Sequence, residues 1–255
     1  MHPLFVLLVV SLMATPTFAQ SVKRSLAKGF EQMKTDEYHG DHTYSRVKFD
    51  DGTRAERFIL RSGDCYEETR DCSRDRERIE YWNDDSRIKI GDEVWYTWSI
   101  YIPEGSWIPP RHGPFTTLGQ FKQFGPGDEL GPPIIQFYYM SVGYRFELSN
   151  PLSPEGNGVE LAVNLIDPKV MQGKWTKIMM QAKWSNNSDG FINVWVNDEL
   201  KVAHSGANSY HANKRFRMRY GVYRFKVSKC GTACPEQIVY YSNIRRGKTL
   251  AAVSK

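Results

Sequence analysis

The sequence predicts an all-β fold: a β-jelly-roll (concanavalin-like) sandwich of two antiparallel sheets in a single domain. Three observations predict it. The apolar period is close to two over most of the chain beyond residue 40. The apolar segments are short and dense in aromatic and β-branched residues. Turn signals separate them, with Gly-Pro-Gly-Asp at 125–128, Asn-Pro at 150–151, Asp-Pro at 167–168 and Ser-Asp-Gly at 188–190. The 255 residues are 40% hydrophobic and 13% aromatic, enough for one sizeable sandwich core. No internal repeat, low-complexity tract or linker interrupts the pattern.

The elements follow in chain order. Residues 4–14, LFVLLVVSLMA, form an apolar run too short to span a bilayer comfortably, and Thr17-Phe18-Ala19 follows with small residues at the positions a signal peptidase reads. A signal peptide over 1–19 is therefore expected, with cleavage after Ala19; a membrane anchor is the rival reading. Residues 20–45 carry a weak helical pattern and read as an N-terminal arm or short helix. The sandwich domain is expected over 46–255. Its first short strand is Arg57–Arg61. Val94–Ile102, VWYTWSIYI, is the clearest strand and ends at Pro103-Glu104-Gly105. Ile134–Met140, Tyr144–Leu148, Val159–Asn164, Trp175–Trp184, Phe191–Val196, Met218–Phe225 and Ile238–Tyr241 continue the series.

Composition narrows the function. The net charge is +5, from 34 Lys and Arg against 29 Asp and Glu, which suits a polyanion but falls short of a nucleic-acid-binding balance. The signal holds no charged side chain, so the mature charge is the same. No nucleic-acid partner, no membrane association after signal removal, and a monomer are expected. The motifs G-x-x-x-x-G-K-[ST], G-x-G-x-x-G, G-x-S-x-G and H-E-x-x-H are all absent, as is an E-x-D-x-x-E run. The last absence weighs against retaining glycoside hydrolysis, which needs two carboxylates flanking one bond. The four cysteines fall in two local pairs, Cys65 with Cys72 and Cys230 with Cys234. In an exported chain an even count favours two disulfides. The rival is a four-cysteine zinc site, but neither spacing is C-x-x-C.

Three segments carry candidate chemistry. In Arg217-Met218-Arg219-Tyr220-Gly221-Val222-Tyr223, alternate residues of a strand share a face, so Arg217, Arg219, Gly221 and Tyr223 point one way. Two guanidiniums and a phenol, with a glycine leaving room between them, make an anion-receiving surface; a solvated basic face is the plainer alternative. In Gly119-Gln120-Phe121-Lys122-Gln123, Gln120 and Lys122 share a face and suit a carboxylate or a hydroxyl-rich ligand. In Arg76-Glu77-Arg78-Ile79-Glu80, Glu80 can hold the Arg78 fork for a substrate carboxylate; a surface salt bridge is the alternative. His42 and His112 are candidate bases, with His112 also a candidate binding residue. No histidine has metal-ligand spacing, and no metal site is expected. Trp82 and Trp107, read as exposed, could stack on sugars.

The order R-x-E, aromatic strand, G-Q-F-K-Q, W-x-x-x-x-D-G-x-I-x-V-W-V-N-D and R-Y-G-V-Y-R resembles the secreted polysaccharide lyases with a β-jelly roll. The nearest likeness is the glucuronan-lyase and heparin-lyase-I-like group, with a more distant similarity to jelly-roll alginate lyases. It spans most of residues 54–248. The resemblance implies cleavage of a uronic-acid polymer by β-elimination, with Tyr223 as base and then acid. It implies that Gln120, Arg78 and Lys122 neutralise the uronate carboxylate, with Arg219 binding. Lys122 stands where alginate lyases have a histidine. A Tyr223 phenol acidified by Arg219 and Arg224 is expected to serve as the base. No organic cofactor is required, and the Asp and Asn of the turns are compatible with a structural Ca²⁺. The rival is a non-catalytic, lectin-like carbohydrate-binding protein on the same fold.

Overall fold

The computed structural model describes residues 25–27, 30–32, 40–66, 70–83, 88–125, 128–129, 132–153, 158–211 and 215–254. Among the described residues fifteen strands form two sheets, every strand pair antiparallel. The strands of the first sheet are β1 (Phe30–Gln32), β4 (Arg76–Asn83), β6 (Phe115–Gly125), β7 (Asp128–Glu129), β8 (Ile135–Met140), β9 (Gly143–Ser149), β10 (Val159–Ile166) and β14 (Arg215–Phe225). Those of the second are β2 (Tyr44–Lys48), β3 (Arg54–Leu60), β5 (Glu93–Tyr101), β11 (Trp175–Lys183), β12 (Phe191–Val196), β13 (Glu199–Ser205) and β15 (Gln237–Gly247). Their spatial orders are β1-β4-β14-β6-β8-β9-β10, with β7 beside β6, and β13-β12-β11-β5-β15-β3-β2.

The core lies between the sheets. Alternate residues enter it: Tyr96, Trp98 and Ile100 from β5, Phe137 and Tyr139 from β8, and Phe216, Met218, Tyr220 and Val222 from β14, all within 2% of full burial. Among the described residues helices are limited to short turns such as α1 (Pro168–Met171) and α2 (Leu250–Val253). The first of these starts at Asp167, whose side chain accepts the Lys169 N–H, with Pro168 in the first helical position.

Every strand expected from the sequence is present within a few residues, and Phe191–Val196 matches at both ends. Of the arm or short helix expected over 20–45, most lies outside the described residues. Phe30–Gln32 pairs with the edge of β4, and β2 begins at Tyr44. At Phe30–Gln32 the edge of β4 supplies the backbone partners. The signal segment at 1–19 lies outside the described residues.

Candidate active site

The site is built on the outer face of the first sheet, and β14 is its spine. Because Phe216, Met218, Tyr220 and Val222 face the core, Arg217, Arg219, Gly221 and Tyr223 face outward, as alternation predicts. On β4, Ile79 and Tyr81 go inward and Arg78, Glu80 and Trp82 outward. The register then aligns the segments that the sequence singled out. Tyr223 lies opposite Arg78 on one side and Thr117 on the other. Arg219 lies between Trp82 and Gln120, and Arg217 opposite Lys122. Two cross-strand rows continue outward, Gln120–Gln136–Glu147 and Thr117–Tyr138–Arg145.

Arg78 sits at the centre of a buried polar network. Its Nη2 donates to Asp71 at 2.6 Å, and its Nη1 lies 3.6 Å from a Glu80 oxygen. Its guanidinium carbon stands 4.4 Å from the centre of the Tyr223 ring, a cation–π contact. Gln120 donates from Nε2 to the other Glu80 oxygen. Asp71 and Glu80 are fully buried, so two carboxylates share the one Arg78 guanidinium inside the protein. Burial works against the charge of Arg78, but Glu80 and Asp71 outweigh it and hold its proton more tightly. Glu80 thus holds both Arg78 and Gln120 in place.

The expected acidification of Tyr223 by Arg219 and Arg224 is corrected. Burial pushes the Tyr223 phenol up from its ordinary value, against the pull of Arg78 and Arg76. Arg224 is the next residue along the strand and so faces the other way. It is fully buried, with Nη2 2.6 Å from Glu77 and Nη1 2.5 Å from the Pro235 carbonyl. Arg219 leans over Trp82, 5.7 Å from its ring centre. The cation that meets the phenol ring belongs to the neighbouring strand.

Gly221 has a role different from the one the sequence suggested. It takes φ +132°, and a Cβ there would lie 2.2 Å from the Ile79 carbonyl oxygen. The glycine therefore lets β4 approach, rather than leaving room for a ligand. A register shift against β6 falls between Tyr220 and Tyr223. The carbonyls of Gly221 and Leu118 at this bulge face the Tyr241 hydroxyl, at 2.7 and 2.5 Å. Tyr241 comes from β15 of the other sheet and is fully buried. Behind Arg219, the Tyr220 hydroxyl donates to buried Glu56 at 2.8 Å, which also accepts from Tyr44 at 2.7 Å.

The Arg217 guanidinium lies between the Trp82 and Phe124 rings, 3.8 and 4.1 Å from their centres. Trp82 and Trp107, expected to be exposed, are both half-buried. For Trp82 the cause is this stack: a planar cation covers one aromatic face.

A family model described as polysaccharide lyase matches residues 24–245. The chain belongs to the polysaccharide lyase family. Membership decides between enzyme and lectin in favour of the enzyme. No curated protein sequence is significantly similar to this lyase. Solved structures of low identity share its fold. The endo-β-1,4-glucuronan lyase of the fungus Trichoderma reesei is 20% identical with a TM-score of 0.64, over 84% of this chain and 90% of that one. An alginate lyase from Pseudomonas aeruginosa is 15% identical with a TM-score of 0.55, over 82% and 87%. A family 7 alginate lyase, solved with its substrate, is 10% identical with a TM-score of 0.55, over 82% of each chain.

The lyase brings Tyr223, Arg78, Glu80 and Gln120 into one network and sets Arg217, Arg219 and half-buried Lys122 beside it on the same face. The candidate histidines stand at two loops, with His42 linked through Asp64, whose backbone carbonyl accepts the Arg78 N–H at 3.1 Å. His42 Nε2 is 3.0 Å from Asp64, and exposed His112 offers its carbonyl to Lys229 Nζ at 2.6 Å. The cysteines form the two expected disulfides, Cys65–Cys72 and Cys230–Cys234. The first closes the loop that carries Asp71. Among the described residues no group of three or more His, Cys, Asp or Glu is placed to hold a metal ion. Sequence reading missed Asp71, Tyr138, Gln136 and Tyr241. Only strand parity would have pointed to Gln136 and Tyr138; nothing local marks Asp71 or Tyr241.

Proposed function

We propose that this lyase cleaves a uronic-acid-containing polysaccharide by β-elimination, with Tyr223 exchanging the proton. The observation that carries the reading is the Tyr223 ring under Arg78, with Gln120 held beside it by Glu80. The proton on C5 of a uronate is weakly acidic because the adjacent carboxylate resists a second negative charge. Gln120, Arg78 and Lys122 would bind that carboxylate and stabilise the enolate-like transition state. Tyr223 as phenolate would take the C5 proton. The electron pair then forms the C4–C5 double bond, the C4–O4 bond breaks, and the same phenol returns its proton to the departing O4. Water is not consumed. Arg217 and Arg219 would hold the flanking anionic chain. The step calls for no cofactor.

The likeness to glucuronan and alginate lyases supports a uronate substrate, and two disulfides support export into an oxidising compartment. The test is ultraviolet absorbance of the mature protein with glucuronan, alginate, heparin-type glycans and pectate. A conjugated double bond should appear on one polymer and be lost in Tyr223→Phe. Hydrolysis without that absorbance would refute elimination.

A further inference from the structure

We infer that the β8–β9 end of the same face is a second anion-binding subsite, centred on Arg145. It would take the carboxylate of an acidic sugar several residues away from the scissile bond. The inference rests on the uronate reading above and extends it to substrate length.

The placement comes from register. Arg78, Tyr223, Thr117, Tyr138, Arg145 and Asn164 are successive partners across β4, β14, β6, β8, β9 and β10. Arg145 stands three strands from Tyr223, a span of about 14 Å at ordinary strand spacing. A polymer laid across the strands would meet a cation at each end of this row. Between the cations the row and its neighbour carry Thr117 and Gln120, which are buried, and Tyr138 and Gln136, which keep a small exposed edge. These are hydroxyl and amide groups suited to sugar hydroxyls. The Tyr138 hydroxyl donates to Gln136 Oε1 at 2.6 Å, so this stretch is already ordered.

The two arginines differ in how they are held. Arg78 is 11% exposed and fixed to Asp71 at 2.6 Å. Arg145 is 30% exposed; its Nε is 3.6 Å from Glu147 and its Nη1 is 3.4 Å from Asn164 Oδ1. Both contacts are long, and a guanidinium has five donors. A ligand carboxylate could make two short parallel bonds to the fork, which the single distant Glu147 oxygen does not. Burial raises the Glu147 carboxyl from its ordinary value against the pull of Arg145. A merely structural surface pair would be tighter or of no consequence.

The experiment compares kcat/KM on glucuronan oligosaccharides of increasing length for the wild type, Arg145→Gln and Glu147→Gln. In Arg145→Gln the ratio of long-chain to short-chain kcat/KM should fall about tenfold or more. In Glu147→Gln it should stay level or rise, because the competing charge is gone. An unchanged ratio in Arg145→Gln, an equal loss at every length, or a fall in Glu147→Gln matching that of Arg145→Gln would overturn the inference. A second readout needs no turnover: retention of Tyr223→Phe, with and without Arg145→Gln, in gels containing glucuronan or alginate. Weaker retention without Arg145 supports the subsite even if no polymer yields a double bond, an outcome that would instead count against the elimination. Equal retention overturns the subsite and leaves the elimination to its own assay.

Discussion

Replacing Asp71 with asparagine should cost both stability and rate, although the proposed chemistry gives Asp71 no contact with the substrate. The side chain is fully buried and accepts the Arg78 Nη2 at 2.6 Å. Its backbone organises the loop independently, accepting the N–H groups of Arg74 at 3.1 Å and Arg76 at 3.0 Å. Asparagine keeps that role and the volume and deletes only the charge. Breaking a buried ion pair by removing one partner costs about 3–5 kcal/mol. Here Glu80 still stands 3.6 Å from the guanidinium, so the loss should fall at the lower end, about 3 kcal/mol. Arg78 would then draw on Glu80, loosening Gln120 and shifting the cation over the Tyr223 ring. A displacement on the order of 1 Å at reacting groups can cost about a hundredfold in rate. We expect kcat to fall about ten- to a hundredfold with KM nearly unchanged. Urea unfolding gives the stability, and initial rates of double-bond absorbance, read well below the melting temperature, give the kinetics. A stability change under about 0.5 kcal/mol together with kcat within about a factor of two would refute the reasoning, since surface-like substitutions behave that way.

Four further outcomes are expected. If Tyr223 is the base, kcat/KM should climb with pH from neutral into the alkaline range, because burial raises its phenol and the base form is present only above that value; a single limb near about 6.5 would point to a histidine instead. Gly221→Ala should fail to accumulate as folded protein or unfold at much lower denaturant, given a Cβ 2.2 Å from the Ile79 oxygen, and normal circular dichroism melting would contradict this. Tyr241→Phe should lose about 1–3 kcal/mol through loss of the one hydroxyl proton that the two buried carbonyls share, and its kcat should drop although the residue belongs to the other sheet; full activity would show that the bulge holds itself. The double variant Cys65→Ala/Cys72→Ala should lose about 2–4 kcal/mol and lower kcat in the manner of Asp71→Asn; loss of stability with unchanged kcat would separate the disulfide from the arginine.

The strands were legible because they are short aromatic and β-branched segments between turn signals, and in β11 and β12 buried residues alternate with less buried ones. Parity on β14 placed Arg217, Arg219 and Tyr223 together before any pairing was known. The same rule, ignored one residue later, produced the error at Arg224: neighbours in sequence are on opposite faces of a strand. What parity cannot supply is sheet order. Nothing local says that β14 lies between β4 and β6, and only that order puts Arg78 over Tyr223. Asp71 is hidden for a second reason. An aspartate in a short cysteine-closed loop reads as solvated, and its burial depends on an arginine in the next strand. Phe30–Gln32 carried no strand signal of its own, because a short edge strand takes its structure from its neighbour.

The hydroxyl that Tyr241 sends through the core has a practical corollary. It fastens the floor of the site from the rear, together with Glu56 behind Tyr220, so the alignment of the working strands does not depend on the side chains that face the substrate. Re-targeting to another polymer therefore becomes a matter of front-facing positions such as Lys122, Gln136 and Glu147, which can be randomised together while the rear fastenings are left alone. Transplanting the front-facing residues onto a different sandwich, by contrast, should fail unless the tyrosine of the opposite sheet travels with them.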